Sequence, residues 1–178
     1  RDAEQLNNIS SSQEAYLSSA EYGDTVDQID GQIRRHEAFE KVLDVQNEKL
    51  KAIQNHSQQI EDSKHFDAPR VVKVVEEVTL KREHIKDQSA ARHRNLDDSM
   101  LYAQFNRDVV ETEGWIDDKL KVAYEDNFQD VTDLESKMRK LQKHQAFEAE
   151  CVANTDQIGR IKQQGDVLLK KRDRKSVV

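Results

Sequence analysis

The residues best suited to chemistry are histidines beside carboxylates, one thiol and one basic run. His36-Glu37-Ala38-Phe39-Glu40 is similar to the zinc-protease pattern HExxH. In that pattern two histidines on one helix face hold the metal and the glutamate serves as base. Here the fifth residue is Glu40, and the second copy of the block, His144-Gln145-Ala146-Phe147-Glu148, carries Gln145 in place of the glutamate. The block therefore predicts no metal site. His36 and His144 are expected beside the phenylalanines of an apolar seam, each paired with a carboxylate. His84 and His93 lie nine residues apart, which does not bring them to one helix face at ligand spacing, so both are expected on a solvated surface. Cys151 occupies an apolar register and is expected as a buried core thiol, not a reactive one. Lys170-Lys171-Arg172-Asp173-Arg174-Lys175 lacks an apolar face suited to acidic lipid or to calmodulin. It reads as the cationic end of a helix, favoured by the helix dipole. The chain has no glycine-rich phosphate loop, no CxxC pair and no nucleophile–base pattern. No catalytic, cofactor-binding or metal-ligating residue is predicted, and no cofactor.

The elements that would position these groups are helices. Only 35% of the 178 residues are hydrophobic and 35% are charged, with one proline and five glycines. So few apolar residues indicate either disorder or long helices with a narrow apolar seam. The scarcity of breakers, with Glu, Lys, Gln, Ala and Leu abundant, selects the helices. The net charge of −7, with both signs interspersed, argues against general nucleic-acid binding. No apolar run approaches a membrane span and no leader pattern opens the chain. One cysteine provides no disulfide framework and suits a reducing compartment.

An internal repeat is visible directly. The block at Arg35–Glu40 returns at Lys143–Glu148, 108 residues later. The same offset carries Ile33 onto Leu141, Leu43 onto Cys151, Leu50 onto Ile158, Ile53 onto Ile161 and Ile60 onto Leu168. The seam steps through Val26, Ile29, Ile33, His36, Phe39, Leu43, Gln46, Leu50, Ile53, Ser57 and Ile60. Steps of three and four average close to the coiled-coil period. Thr25 with Gln28 suggests a capping box, and a helix over about 25–63 follows. Pro69, in the polar stretch from Asp62 to Arg70, is taken to mark the break. A second seam runs through Val71, Val75, Val78, Arg82, Ile85, Ser89, Arg92 and Leu96. It continues through Leu101, Phe105, Val109, Thr112, Trp115 or Ile116, and Val122, which predicts one helix passing through Gly114. The charged stretch Lys81–Lys86 is expected to be solvated. A break over Tyr124–Asp130 and a last helix over about 131–171 complete the pattern. The weakest helical stretch is Asp2–Leu17, with Leu6, Ile9, Gln13 and Leu17 inward and a serine run in its middle. Gly23 is placed in the turn after it for a left-handed backbone.

Three helices in about 108 residues, the HxAFE block and the turn Tyr22-Gly23-Asp24-Thr25 resemble the spectrin repeat family. Trp115-Ile116-Asp117-Asp118-Lys119-Leu120 is similar to the family's first-helix WIxEK block. Leu141–Asn154 resembles KHQAFEAE segments, with α-type chains favoured over β-type. The resemblance implies an all-α fold of tandem left-handed antiparallel three-helix coils joined by a continuous helix. It divides the chain at 1–97, a complete repeat with a short first helix, and 98–178, a second repeat lacking its third helix. It implies a structural, non-enzymatic rod segment of an actin-crosslinking membrane-skeleton protein. That parent would lie in the cytoplasm at the cell cortex and pair antiparallel with a partner spectrin chain. Actin and membrane adaptors would bind elsewhere on it. A repeat pair that docks ankyrin or an adaptor is the rival. Ile9 and Arg82 stand where the family usually places tryptophans, so the first repeat is expected to be the less stable. An arginine at a core register must snorkel or find a carboxylate.

Overall fold

The computed structural model describes residues 2–125 and 132–176. Four helices follow in order: α1 (Asp2–Ser18), α2 (Val26–Asp62), α3 (Ala68–Glu125) and α4 (Leu134–Ser176). The chain divides into two compact units, Arg1–Met100 and Leu101–Val178, and α3 passes through the boundary without a break.

The helix ends follow from local chemistry. Gly23 has φ +97°, and a Cβ there would meet the Cβ of Gln28 at 2.8 Å, so this turn requires glycine. Thr25 caps α2: its hydroxyl accepts from the Gln28 amide at 3.3 Å. The Gln28 side chain reaches back one residue further than a capping box requires and accepts from the Asp24 amide at 3.0 Å. The other end of α2 corrects the proline reading. Lys64, at φ 54°, donates to the Glu61 carbonyl at 2.9 Å, and His65 donates to the Ile60 carbonyl at 3.3 Å. This pair of bonds is a Schellman stop, built without glycine. Pro69 lies inside the first turn of α3, where a missing N–H costs nothing. The last helix also starts later than predicted. Asp133 accepts from the Ser136 amide at 2.8 Å and opens α4, which runs on to Ser176. The Ser136 hydroxyl, and after it the Ser136 amide, hold the exposed Asp133 carboxyl below the usual carboxylate range. The predicted start at Val131 and most of the predicted break lie outside the described residues.

In the first unit, α1, α2 and the first part of α3 pack antiparallel around a seam of stacked layers. Leu6, Leu50 and Val78 make one apolar layer, flanked by Ala3 and Ile53. Leu17, Leu43 and Ile85 make another, flanked by Tyr16 and Phe39. Every predicted seam position of α2, and of α3 up to Leu96, is buried or half-buried. In α1 the inward residue is Ser10, at 0% exposure, and Ile9 stands outside at 41%. The Ser10 hydroxyl donates to the Leu6 carbonyl at 2.8 Å, which lets a polar group lie in the seam.

In the second unit, the later part of α3 lies against α4. Phe105 packs over Gly165, where a Cβ would come within 3.4 Å of the ring. Lys119 pairs with Glu150, and Gln164 donates to Asp108 at 3.5 Å. Much apolar surface stays open: Leu134, Met138, Leu141, Val152 and Leu169 are all exposed. Cys151 is half-buried, not buried as its register suggested.

Candidate functional site

The polar residues of the first unit gather between its apolar layers. Next to Leu17, Leu43 and Ile85 on one side lies a network around Arg82. The side chain is 3% exposed. It donates to Gln13 Oε1 at 2.6 Å, to the Leu43 carbonyl at 3.4 Å and to Asn47 Oδ1 at 3.4 Å. Gln13 in turn donates to Gln46 Oε1 at 2.8 Å. Arg82 thus neither snorkels nor meets a carboxylate, as its register had suggested; neutral amides receive it, and its Nε stays buried without a partner. Burial pulls its pKa below the ordinary guanidinium value. Arg82 and Ile85 also correct the reading of Lys81–Lys86 as solvated.

This layer gives a direct test. Arg82→Leu alone would strip Gln13 Oε1 of its donor inside the coil and should cost about 1–3 kcal/mol. Replacing Arg82, Gln13 and Gln46 together by leucine removes both sides of the network. That triple variant should be more stable than the parent by about 1–4 kcal/mol. Urea unfolding of both variants reads the difference. If the triple variant is weaker than the parent, the layer stabilises the unit and the argument fails.

On the other side of the same apolar layer lies His36, fully buried. Its Nε2 faces the Ser89 carbonyl at 3.0 Å and Glu40 Oε1 at 3.5 Å, while Nδ1 has no partner. Burial is the largest influence holding its pKa below the ordinary imidazole value. The Ser89 bond and Glu40 act against that shift, and His93 and Arg92 add to it. His93 is not a surface residue apart from this group. Its Nδ1 lies 3.2 Å from Glu40 Oε2, and its ring meets the His36 ring edge-on at 5.7 Å. Arg92 donates to the carbonyls of Ser19 and Glu21 and lies over the rings of Tyr16 and Tyr22. It ties the α1–α2 turn to α3. His84 is exposed.

The second copy of the histidine block keeps only part of this arrangement. His144 Nε2 lies 3.3 Å from Glu148 Oε1 and stacks near Phe147, but its side chain is 51% exposed. The carboxylate-paired histidine is thus common to both units, and burial is confined to the first. The larger recesses in the first unit are open to solvent. One of about 440 Å³ is lined by Ile53, Val71 and Val75 at the end of the apolar seam. This is the geometry of a helical coil with polar layers.

Comparison with known proteins agrees with that geometry. The pattern of the Spectrin repeat family matches twice in succession, over residues 1–98 and 100–177. The chain belongs to the spectrin repeat family.

Spectrin repeats are structural modules. The chain is 28% identical over 169 residues to the mouse spectrin alpha chain, erythrocytic 1, an alignment covering 95% of this chain and 7% of that protein. It is 27% identical over 158 residues to the spectrin beta chain of Drosophila melanogaster, covering 89% of this chain and 7% of the relative. It is 30% identical over 172 residues to the human spectrin beta chain, non-erythrocytic 5, covering 95% of this chain and 4% of the relative. The chain therefore spans less than a tenth of each of these proteins. Among the described residues, no helix is long and apolar enough to cross a membrane.

Proposed function

We propose that this chain is a force-carrying segment of the rod of a spectrin-type cytoskeletal protein, without enzymatic activity. The observation that carries the reading is the pair of consecutive spectrin-repeat matches on four long helices, the third of which runs through both units. In such a segment the helical coils set spacing, and the force at which a coil opens is set by its seam. Residues 98–178 then make two of a repeat's three helices, a reading supported by the apolar side chains left open on α4. The parent acts in the cortical membrane skeleton of the cytoplasm, beside an antiparallel partner spectrin chain, with actin and adaptors bound elsewhere on the rod.

Stretching single molecules held at their two ends tests this. Opening of the first unit should appear as a discrete, reversible step. Each hundred residues released should add on the order of 300 Å of extended chain, less the folded length. A smooth extension without steps would show that the coil does not resist force, and would defeat the proposal.

A further inference from the structure

His36, Glu40 and His93 bring two imidazoles and a carboxylate together across two helices. We propose that they form a zinc-type divalent-metal site that staples α2 to α3 within the first unit. The three donor atoms lie within 4.8 Å of one another. His36 Nε2 is 3.5 Å from Glu40 Oε1, and His93 Nδ1 is 3.3 Å from the same oxygen. Ligands of a tetrahedral zinc at about 2.0–2.1 Å are separated by roughly 3.3 Å, so two edges of the tetrahedron already exist. His93 and Glu40 are each about a third exposed, at 37% and 35%. Their side chains can turn to close the third edge and leave the fourth position to solvent.

Ligation through His36 Nε2 moves the ring proton to Nδ1, which is buried without a partner, a cost that the bound ion has to offset. On Nε2, the ring faces only a helix carbonyl, the Ser89 hydroxyl at 3.3 Å and a carboxylate. A cation bound by Nε2 answers the oxygens that converge there. It leaves no carbonyl orphaned, because the Ser89 carbonyl lies within the α3 ladder and accepts from that helix. The other nitrogen of His93, Nε2, lies 3.9 Å from Asp97 Oδ2, beyond hydrogen-bond length but close enough for a small side-chain turn to bring that carboxylate onto the ring. The Glu40 carboxylate offsets the Arg92 charge for an incoming cation. Nitrogen donors select zinc-like ions over magnesium, which prefers an all-oxygen shell.

The sequence did not disclose the site because its two halves lie on different helices. Glu40 follows His36 by four residues, and His93 follows the seam position Ser89 by four, so each flanks the seam on its own helix. Only the antiparallel packing of α2 on α3 joins them.

The test uses the full chain, freed of metal by chelation and titrated with zinc chloride at pH 7.5 by calorimetry. One saturable site with a raised thermal midpoint is expected, and magnesium should produce neither. Glu40→Gln and His93→Asn change partly exposed residues, and helix content checks that they fold. Each should weaken zinc binding at least tenfold, and Asp97→Asn should weaken it less. X-ray absorption at the zinc edge should show two imidazoles with oxygen and no sulfur. Absence of saturable binding, undiminished binding by both His93→Asn and Glu40→Gln, or a sulfur ligand from Cys151 would each overturn the proposal.

Discussion

Replacing Ile85 by alanine should destabilise the first unit by about 3–5 kcal/mol, the upper part of the range for isoleucine truncation in a core. Ile85 is fully buried and meets Leu17 and Leu43 in one layer. The cost depends on whether neighbours can collapse into the vacated space. On one side stands Arg82, held by Gln13 and by the Leu43 carbonyl. On the other stands His36, facing Ser89 and Glu40. Neither polar group can slide into the gap without breaking its own hydrogen bonds, so most of the cavity should persist. Leu80→Ala is the control. Leu80 is on the same helix but 66% exposed, and its loss should stay within about 0.5 kcal/mol. Urea midpoints of the two variants decide the matter. An Ile85→Ala cost near that of Leu80→Ala would mean that the layers repack freely, and the view of a seam braced by polar layers would fail.

The same layers explain what could be read from the sequence and what could not. The heptad step alone located every inward position of α2, because that helix is long and its apolar residues are unbroken in register. It placed Arg82, Ser89 and Arg92 in the seam of α3 despite their polarity, and all three are buried. The method failed where a short helix offered two registers. Leu6, Ile9, Gln13 and Leu17 step by three, four and four, whereas Leu6, Ser10, Gln13 and Leu17 step by four, three and four. Apolarity favoured Ile9, but the seam took Ser10, whose hydroxyl is satisfied within its own helix. Partners of buried polar groups were beyond reach for a different reason. The acceptors of Arg82 lie on α1 and α2, and those of Arg92 lie in the turn between them. Spacing along one helix carries no information about which side chain faces it from another. Turns were legible when glycine made them, as at Gly23 ahead of α2. They were misread when a backbone Schellman bond pair made them, as at Ser63–His65, and the nearby proline took the credit.

The continuity of α3 should matter as much as any core residue, and Met100→Pro measures it. Met100 closes the first unit and Leu101 opens the second, so the hydrogen-bond ladder of one helix is the covalent and secondary-structural link between them. A proline at 100 removes the N–H that would bond the Leu96 carbonyl. Its ring clashes with that carbonyl, and it drives Ser99 out of helical backbone, at a combined cost of about 3 kcal/mol or more. Leu96 is almost fully buried, at 1% exposure, so the break would disturb the last layer of the first unit as well as the helix. The chain's one tryptophan, Trp115, lies in the second unit and provides a local probe, while far-UV circular dichroism reports all four helices. In the parent the two signals should change together on heating, because helix opened at the boundary frays in both directions. In Met100→Pro the midpoint should fall and the two signals should separate. Met100→Ala, which keeps the ladder and removes only a half-buried side chain, should leave them coincident. Were Met100→Pro to unfold with coincident signals at the midpoint of Met100→Ala, the shared helix would carry no coupling. The chain would then act as two coils that merely follow one another in sequence.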